Sequence, residues 1–176
     1  LFKMGDVNPV DEDLSVDMFS RMIEKLTAAG FDHYEISNFA RHGLYSKHNS
    51  SYWLGKKYLG LGPAAHSYDG QNRSWNVPSI SKYIEGIRAE NLNLEIEVLD
   101  ENTRYNDFIL TGMRTKWGVN LSDLESLFGT KMKVFCLKNA RKYLDQGFLT
   151  EKDNILKLTR QGIFISDGIM SDLMWV

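Results

Sequence analysis

The tightest constraint in this sequence is the punctuation of its C-terminal third. Lys131–Gln146 sets Val134, Leu137, Ala140 and Leu144 on one helical face and ends at Gly147, a residue suited to the left-handed stop of a helix. Two short apolar runs follow, Phe148–Thr150 and Ile155–Leu158, on either side of the polar stretch Glu151–Asn154, the pattern of a hairpin. A helix feeding a hairpin needs other apolar faces to close a core. Thr103–Thr115 supplies Phe108, Ile109 and Met113, although its Gly112 disfavours the helix unless a second element packs tightly against it. Ser122-Asp-Leu-Glu125 reads as a capping box for a short helix ending at Phe128. Thr159 can cap a last helical segment with Ile163 and Phe164. Residues 102–176 are therefore expected to form a small helical domain closed by a two-stranded wing, winged-helix-like in outline.

Towards the other end, Leu14, Met18, Met22 and Leu26 recur every four residues, with Phe19 and Ile23 widening the stripe. Asp11 can cap this helix and Gly30 can stop it. Asp32–Phe39 alternates Tyr34 and Ile36 with Glu35 and Ser37, as a strand would. Helix followed by strand is half of an α/β unit. Residues 40–51 are polar and aperiodic and read as an exposed loop, with Tyr52–Leu54 and Tyr58–Leu61 as short strand candidates. Asp69-Gly70 marks a turn, Arg73–Val77 a returning strand, and Ser79 the cap of a helix carrying Ile80, Ile84 and Ile87. Asn91–Leu99 is the candidate connector, which divides the chain into residues 1–95 and 96–176.

Several function classes are set aside by the bulk numbers. A net charge of -2, from 21 basic and 23 acidic residues, gathers neither nucleic acid nor anionic lipid. The basic residues Lys131, Lys133, Lys138, Arg141 and Lys142 lie near Asp145, Glu151 and Asp153, which favours a solvated face over a nucleic-acid surface. No apolar run approaches the roughly 20 residues that cross a bilayer, so a soluble, cytoplasmic protein is expected. A start at Leu1 with no signal-like segment is expected of a piece of a longer chain. Cys136 is the single cysteine and cannot pair internally.

The densest constellation of polar and aromatic groups is His48, Asn49, Tyr52 and Trp53. Imidazole can ligate haem iron and aromatic rings can cover a flat macrocycle; the same residues can equally satisfy loop backbone and fill a core. Leu59-Gly-Leu-Gly-Pro-Ala-Ala-His-Ser67 lacks the Lys-Ser/Thr of a phosphate loop and the third glycine of a dinucleotide fingerprint. It is either a closely approached ligand wall with His66 or Ser67 at its end, or a crowded turn. Glu35 is expected to face solvent unless its strand ends at a pocket, and His33 and His42 are expected at the surface.

Four ordered motifs carry a resemblance: Tyr34-Glu-Ile-Ser-Asn-Phe-Ala40, His48-Asn-Ser-Ser-Tyr-Trp53, Tyr58-Leu-Gly-Leu-Gly-Pro-Ala-Ala-His-Ser67 and Arg73-Ser-Trp-Asn-Val77. Together with Leu158-Thr-x-x-Gly162 and Ser166-Asp167 they resemble the oxygen-independent coproporphyrinogen III oxidase family, and within it the haem-chaperone branch. The resemblance implies an α+β chain, the last part of a partial (β/α) barrel followed by a mostly helical C-terminal domain. It implies that the full-length parent holds a [4Fe–4S] cluster on a three-cysteine motif that is not in this sequence, with S-adenosylmethionine and haem. It places haem on His48, Asn49, Tyr52 and Trp53, with His48 as the iron ligand, and puts Glu35, Ser37, Asn38, Gly60, Gly62, Ala65 and His66 on the cofactor side of the barrel. Haem or another tetrapyrrole, and a haem-recipient protein, are the partners it implies. The alternatives are oxidative decarboxylation of coproporphyrinogen III to protoporphyrinogen IX and a noncatalytic winged-helix binding module. One departure is Ala64, where relatives carry glycine.

Overall fold

A computed structural model describes residues 11–176, and its chain contacts divide the protein into two units that meet at Ser46 and Lys47. In the first unit, α1 (Glu12–Ala28) begins at Asp11, whose carboxylate accepts the Leu14 amide at 3.2 Å, and Gly30 at φ +81° ends it. Only Ile23 of its stripe is buried, while Leu14, Met18 and Met22 stay exposed. The strand expected over Asp32–Phe39 is instead a tight hairpin, β1 (Phe31–Glu35) against β2 (Asn38–Arg41). The sequence alternation continues through the turn and so conceals it. A register shift between His33 and Glu35 then buries two consecutive side chains, Tyr34 and Glu35, as a bulge does.

The second unit begins with α2 (Lys47–Trp53), in place of the loop and strand expected there. Two turns with the composition Lys-His-Asn-Ser-Ser-Tyr-Trp are too short for a hydrophobic period and hold few strong helix formers. Tyr58–Leu61 is no strand, apart from a single bridge between Tyr58 and Tyr68. Next comes a meander, β3 (His66–Tyr68), β4 (Asn72–Asn76) and β5 (Leu94–Val98), with α3 (Ile80–Arg88) inserted before β5. Ser79 caps α3 as expected, but Ile80, Ile84 and Ile87 remain exposed. The segment read as a connector is thus the third strand of a sheet, unrecognised because Leu94, Ile96 and Val98 are exposed along with the glutamates between them.

The C-terminal core forms around α4 (Glu101–Met113). Asp100 caps it, and Tyr105, Ile109 and Met113 are buried along one side. Gly112 has the expected close neighbour, since a Cβ there would sit 2.6 Å from Val119 Cγ2. Helix α5 (Leu121–Asp145) breaks at Gly129, whose φ of +82° and ψ of 166° separate the short and long helices expected from sequence. Its cap is Asn120, which accepts the Ser122 and Asp123 amides, rather than Ser122. Glu125, freed from a capping box, binds Lys133 and Thr130. The buried stripe of the long half is Met132, Cys136 and Ala140, and Val134 lies outside it.

The hairpin β7 (Leu149–Lys152) and β8 (Ile155–Leu158) turns through Asp153 and Asn154, both at positive φ, the two-residue turn matched to strand twist. The wing has three strands, not two, because β6 (Val119–Asn120) pairs with β8. Thr159 caps α6 (Arg160–Ile163), and α7 (Ser166–Leu173) closes the core. Its last carbonyl accepts the Tyr105 hydroxyl at 2.9 Å, while Asn106 exchanges two hydrogen bonds with the Trp175 backbone. The α+β class holds, and every strand pair among the described residues is antiparallel.

Burial pushes the Cys136 thiol up to about 11 from its ordinary 9.0, and pushes Tyr105 upward as well. Below about pH 9 the thiol is neutral in the folded and unfolded chain alike; from there to about pH 11 only the unfolded chain ionises. The thiol's contribution, fully present below about pH 9, should therefore fall by about 2–3 kcal/mol by about pH 11. Urea midpoints taken from pH 8 upward should decline less steeply in Cys136→Ala, with Tyr105 retaining its own share; identical declines would contradict this.

Candidate functional site

On α2, residues four apart share a face. His48 and Tyr52 form the exposed stripe: His48 Nε2 lies 3.0 Å from the Tyr52 hydroxyl, and the rings meet edge to face at 4.9 Å. Tyr58 packs edge to face on the other side of Tyr52 at 4.5 Å, and Tyr68 lies 6.1 Å beyond Tyr58. The Tyr58 and Tyr68 backbones tie this series to the sheet by two hydrogen bonds of 2.9 Å. Burial and the neighbouring Tyr52 raise the Tyr58 hydroxyl above its ordinary pKa, so it is a neutral donor at physiological pH. Asn49 and Trp53 form the adjacent half-buried stripe, with the Arg114 guanidinium 5.0 Å over the Trp53 ring.

The glycine-rich segment resolves into a backbone crossing. A Cβ on Gly60 would lie 2.2 Å from the His66 carbonyl oxygen, so the chain passes there only without a side chain. The buried Asn76 amide donates to the Gly60 and Gly62 carbonyls at 3.2 and 2.8 Å, Tyr83 Oη accepts the Gly62 amide at 3.1 Å, and Ser67 Oγ accepts the Gly60 amide at 2.9 Å. The Ala65 carbonyl accepts the Asn76 backbone N–H at 3.0 Å in the same crossing, and His66 projects into solvent beside Trp75 with ring centroids 5.6 Å apart. In β4, Arg73 and Trp75 share a face with Glu97 and Glu95, to which they bind, and Arg73 also pairs with Asp107 of α4. Ser74 and Asn76 lie on the other face, where a cleft of about 430 Å³ is lined by Tyr83, Ile87, Leu92, Leu94 and Ile96.

Glu35, Ser37 and Asn38 lie together in the first unit. Glu35 is 2% exposed, not solvent-facing; its carboxylate accepts the Ser37 amide and hydroxyl, each at 3.1 Å, and the Asn38 side chain. The bulge that turns Glu35 inward is the physical reason. His33 is half-buried: Nε2 is 2.8 Å from the Ile36 carbonyl, and the ring stacks on Phe39 at 4.2 Å. His42 is exposed as expected. The residues that sequence reasoning passed over are Asn76, Tyr58, Tyr68, Asp107 and Arg114. Only the recurrence of tyrosines at 52, 58 and 68 offered a signal; Asp107 and Arg114 act across the fold and leave no local pattern.

Residues 99–165 match the HemN C-terminal domain, a match that starts at the buried Leu99 just before the α4 cap. The heme chaperone HemW of Mycobacterium tuberculosis is 30% identical over 98% of this chain and 42% of its own length, and that of Bacillus subtilis 28% identical over 96% and 45%. A bovine relative, radical S-adenosyl methionine domain-containing protein 1, mitochondrial, is 32% identical over 98% and 42%. The chain carries the HemN C-terminal domain of the HemN/HemW family. Among solved structures, Escherichia coli coproporphyrinogen III oxidase (HemN), described as a radical SAM enzyme, shares the fold with a TM-score of 0.71 at 16% identity, over 96% of this chain and 43% of that one. The chain thus spans less than half the length of these relatives.

The backbone at Ala64, directly after Pro63, is one that favours glycine. Ala64 sits at φ +57°, a left-handed conformation that costs a residue with a Cβ about 1–2 kcal/mol. Ala64→Gly should raise stability by about 1 kcal/mol, less the added entropy of the unfolded chain. A higher urea midpoint is the expected result, and an unchanged or lower one would count against the strain.

Proposed function

We propose that this chain belongs to a cytoplasmic haem-handling protein and contributes its haem-contacting helix, α2, with His48 as the iron ligand. The observation that carries this reading is the His48–Tyr52 pair on an exposed helix face, backed by Tyr58. In the tautomer that donates Nε2–H to the Tyr52 hydroxyl, Nδ1 carries the lone pair a metal takes, and Tyr52 fixes the plane of the ring. Tyr52 and Tyr58 then offer aromatic surface to a macrocycle, and Trp53, turned towards Arg114, anchors the helix. Bound haem would supply the iron centre itself, while the protein sets the orientation of the imidazole. The names of the HemW relatives support haem as the ligand, and a haem-recipient protein follows as the second partner.

A [4Fe–4S] cluster does not fit the residues of this chain. Cys136, the one cysteine, is buried beside Tyr105, and among the described residues no group of three or more His, Cys, Asp or Glu is placed to hold a metal ion. We therefore assign the cluster and S-adenosylmethionine to the part of the parent protein that this chain does not span. No helix among the described residues is long and apolar enough to cross a membrane. Nucleic-acid binding by the winged domain is disfavoured, because Lys133, Arg141 and Lys142 are already paired with Glu125, Asp145 and Asp172.

Haem titration followed by the Soret band tests the assignment. His48→Ala should shift the band and weaken affinity at least about tenfold, a loss of roughly 1.4 kcal/mol. Spectra and affinities identical to those of the parent chain would remove His48 as the ligand.

A further inference from the structure

Helix α4 has two working faces. Tyr105, Ile109 and Met113 are buried in the C-terminal core. On the opposite side stand Asp107 and Arg114, seven residues and so two turns apart, roughly 10 Å along the axis. Each grips a different element of the candidate site: Asp107 binds Arg73 of β4, and Arg114 covers the Trp53 ring of α2. A guanidinium over an indole face is among the stronger cation–π arrangements, worth about 0.5–2 kcal/mol depending on desolvation.

Helix α2 is only partly enclosed. None of its residues is fully buried, and Ser50 Oγ and the Trp53 indole nitrogen are buried atoms without a hydrogen-bond partner. Those two atoms oppose docking, since each gives up water without a replacement. The Arg114–Trp53 contact is a directional tie between α2 and the C-terminal domain. His48 and Tyr52 lie one residue, about 100° of helix rotation, from the anchored Asn49–Trp53 stripe, so the orientation of α2 sets the direction in which the imidazole faces.

We propose that Arg114 is a positioning residue: through Trp53 it fixes α2, and with it the His48–Tyr52 pair, on the C-terminal domain. The consequence for haem rests on the reading of α2 as the haem-contacting helix; the hold on α2 itself does not. A role of this kind gives the HemN C-terminal domain a direct part in ligand orientation, although none of its residues need touch the ligand.

Amide hydrogen exchange and haem titration on the 176-residue chain and its Arg114→Ala and Arg114→Lys variants test the proposal. In Arg114→Ala, exchange across Lys47–Trp53 should accelerate at least about fivefold while Met132–Ala140 keeps its protection, and haem affinity should drop several-fold with an unchanged Soret maximum. Arg114→Lys, which keeps the cation, should recover most of both. Unchanged exchange across Lys47–Trp53, or equal acceleration in Met132–Ala140, would overturn the proposal, the latter by showing a role in folding alone. Should His48→Ala leave haem binding intact while Arg114→Ala still loosens α2, the haem reading falls and the positioning of α2 stands. Should His48→Ala abolish the band while Arg114→Ala changes nothing, the positioning role alone is lost.

Discussion

The burial of one side of α4 is the interaction on which the rest of the second unit depends. Tyr105 is wholly enclosed, its hydroxyl given to the Leu173 carbonyl, and Ile109 and Met113 extend the same contact to the sheet formed by β6, β8 and β7. A tyrosine buried without that carbonyl would leave an unsatisfied polar group at a cost of about 1–3 kcal/mol, so α4 is settled only with α7 docked. Once it is, the outward side of the helix becomes a fixed rail for Asp107 and Arg114. Rigidity in the core is thereby transferred to two elements that have little core of their own.

Those elements are built on a different principle. In residues 47–98 the apolar side chains are mostly exposed, and order comes from backbone constraint: the crossing at Gly60, the Asn76 amide spanning two carbonyls, and the Tyr58–Tyr68 bridge. Asn76 matters more than its size implies. One side chain satisfies the carbonyls of Gly60 and Gly62 and keeps a turn with no regular ladder in a single conformation. Hydrogen-bonded turns of this kind hold shape with little hydrophobic burial, which is why a candidate site can be placed at the edge of a sheet without a deep pocket around it.

The C-terminal domain was largely legible in the sequence because its elements are long enough to show a period and have distinct stops. Gly147, Thr159 and the tight packing at Gly112 each had a local cause and took the expected role. The capping box at Ser122 failed for a reason of position: Asn120, two residues earlier, is held in β6, so its side chain reaches the first amides before Ser122 can. The candidate site was legible only as a set of residue types. His48, Asn49, Tyr52 and Trp53 stood out by chemistry, yet their helical spacing was hidden in seven residues, and Glu35 was placed outside because a bulge breaks the period on which that expectation relied.

What no local pattern could carry is the link from Arg114 to Trp53, because two residues 61 positions apart are joined only by the fold. The same is true of Arg73 and Asp107, whose guanidinium–carboxylate pair also takes in Glu97. Both links start from α4, one ending on α2 itself and the other on β4. A helix buried on one side presents its other side at a fixed angle, so any residue there inherits the precision of the core behind it. For a flat ligand bound at the surface, where no enclosing cavity can set its orientation, such borrowed precision is the means by which a single imidazole can be aimed.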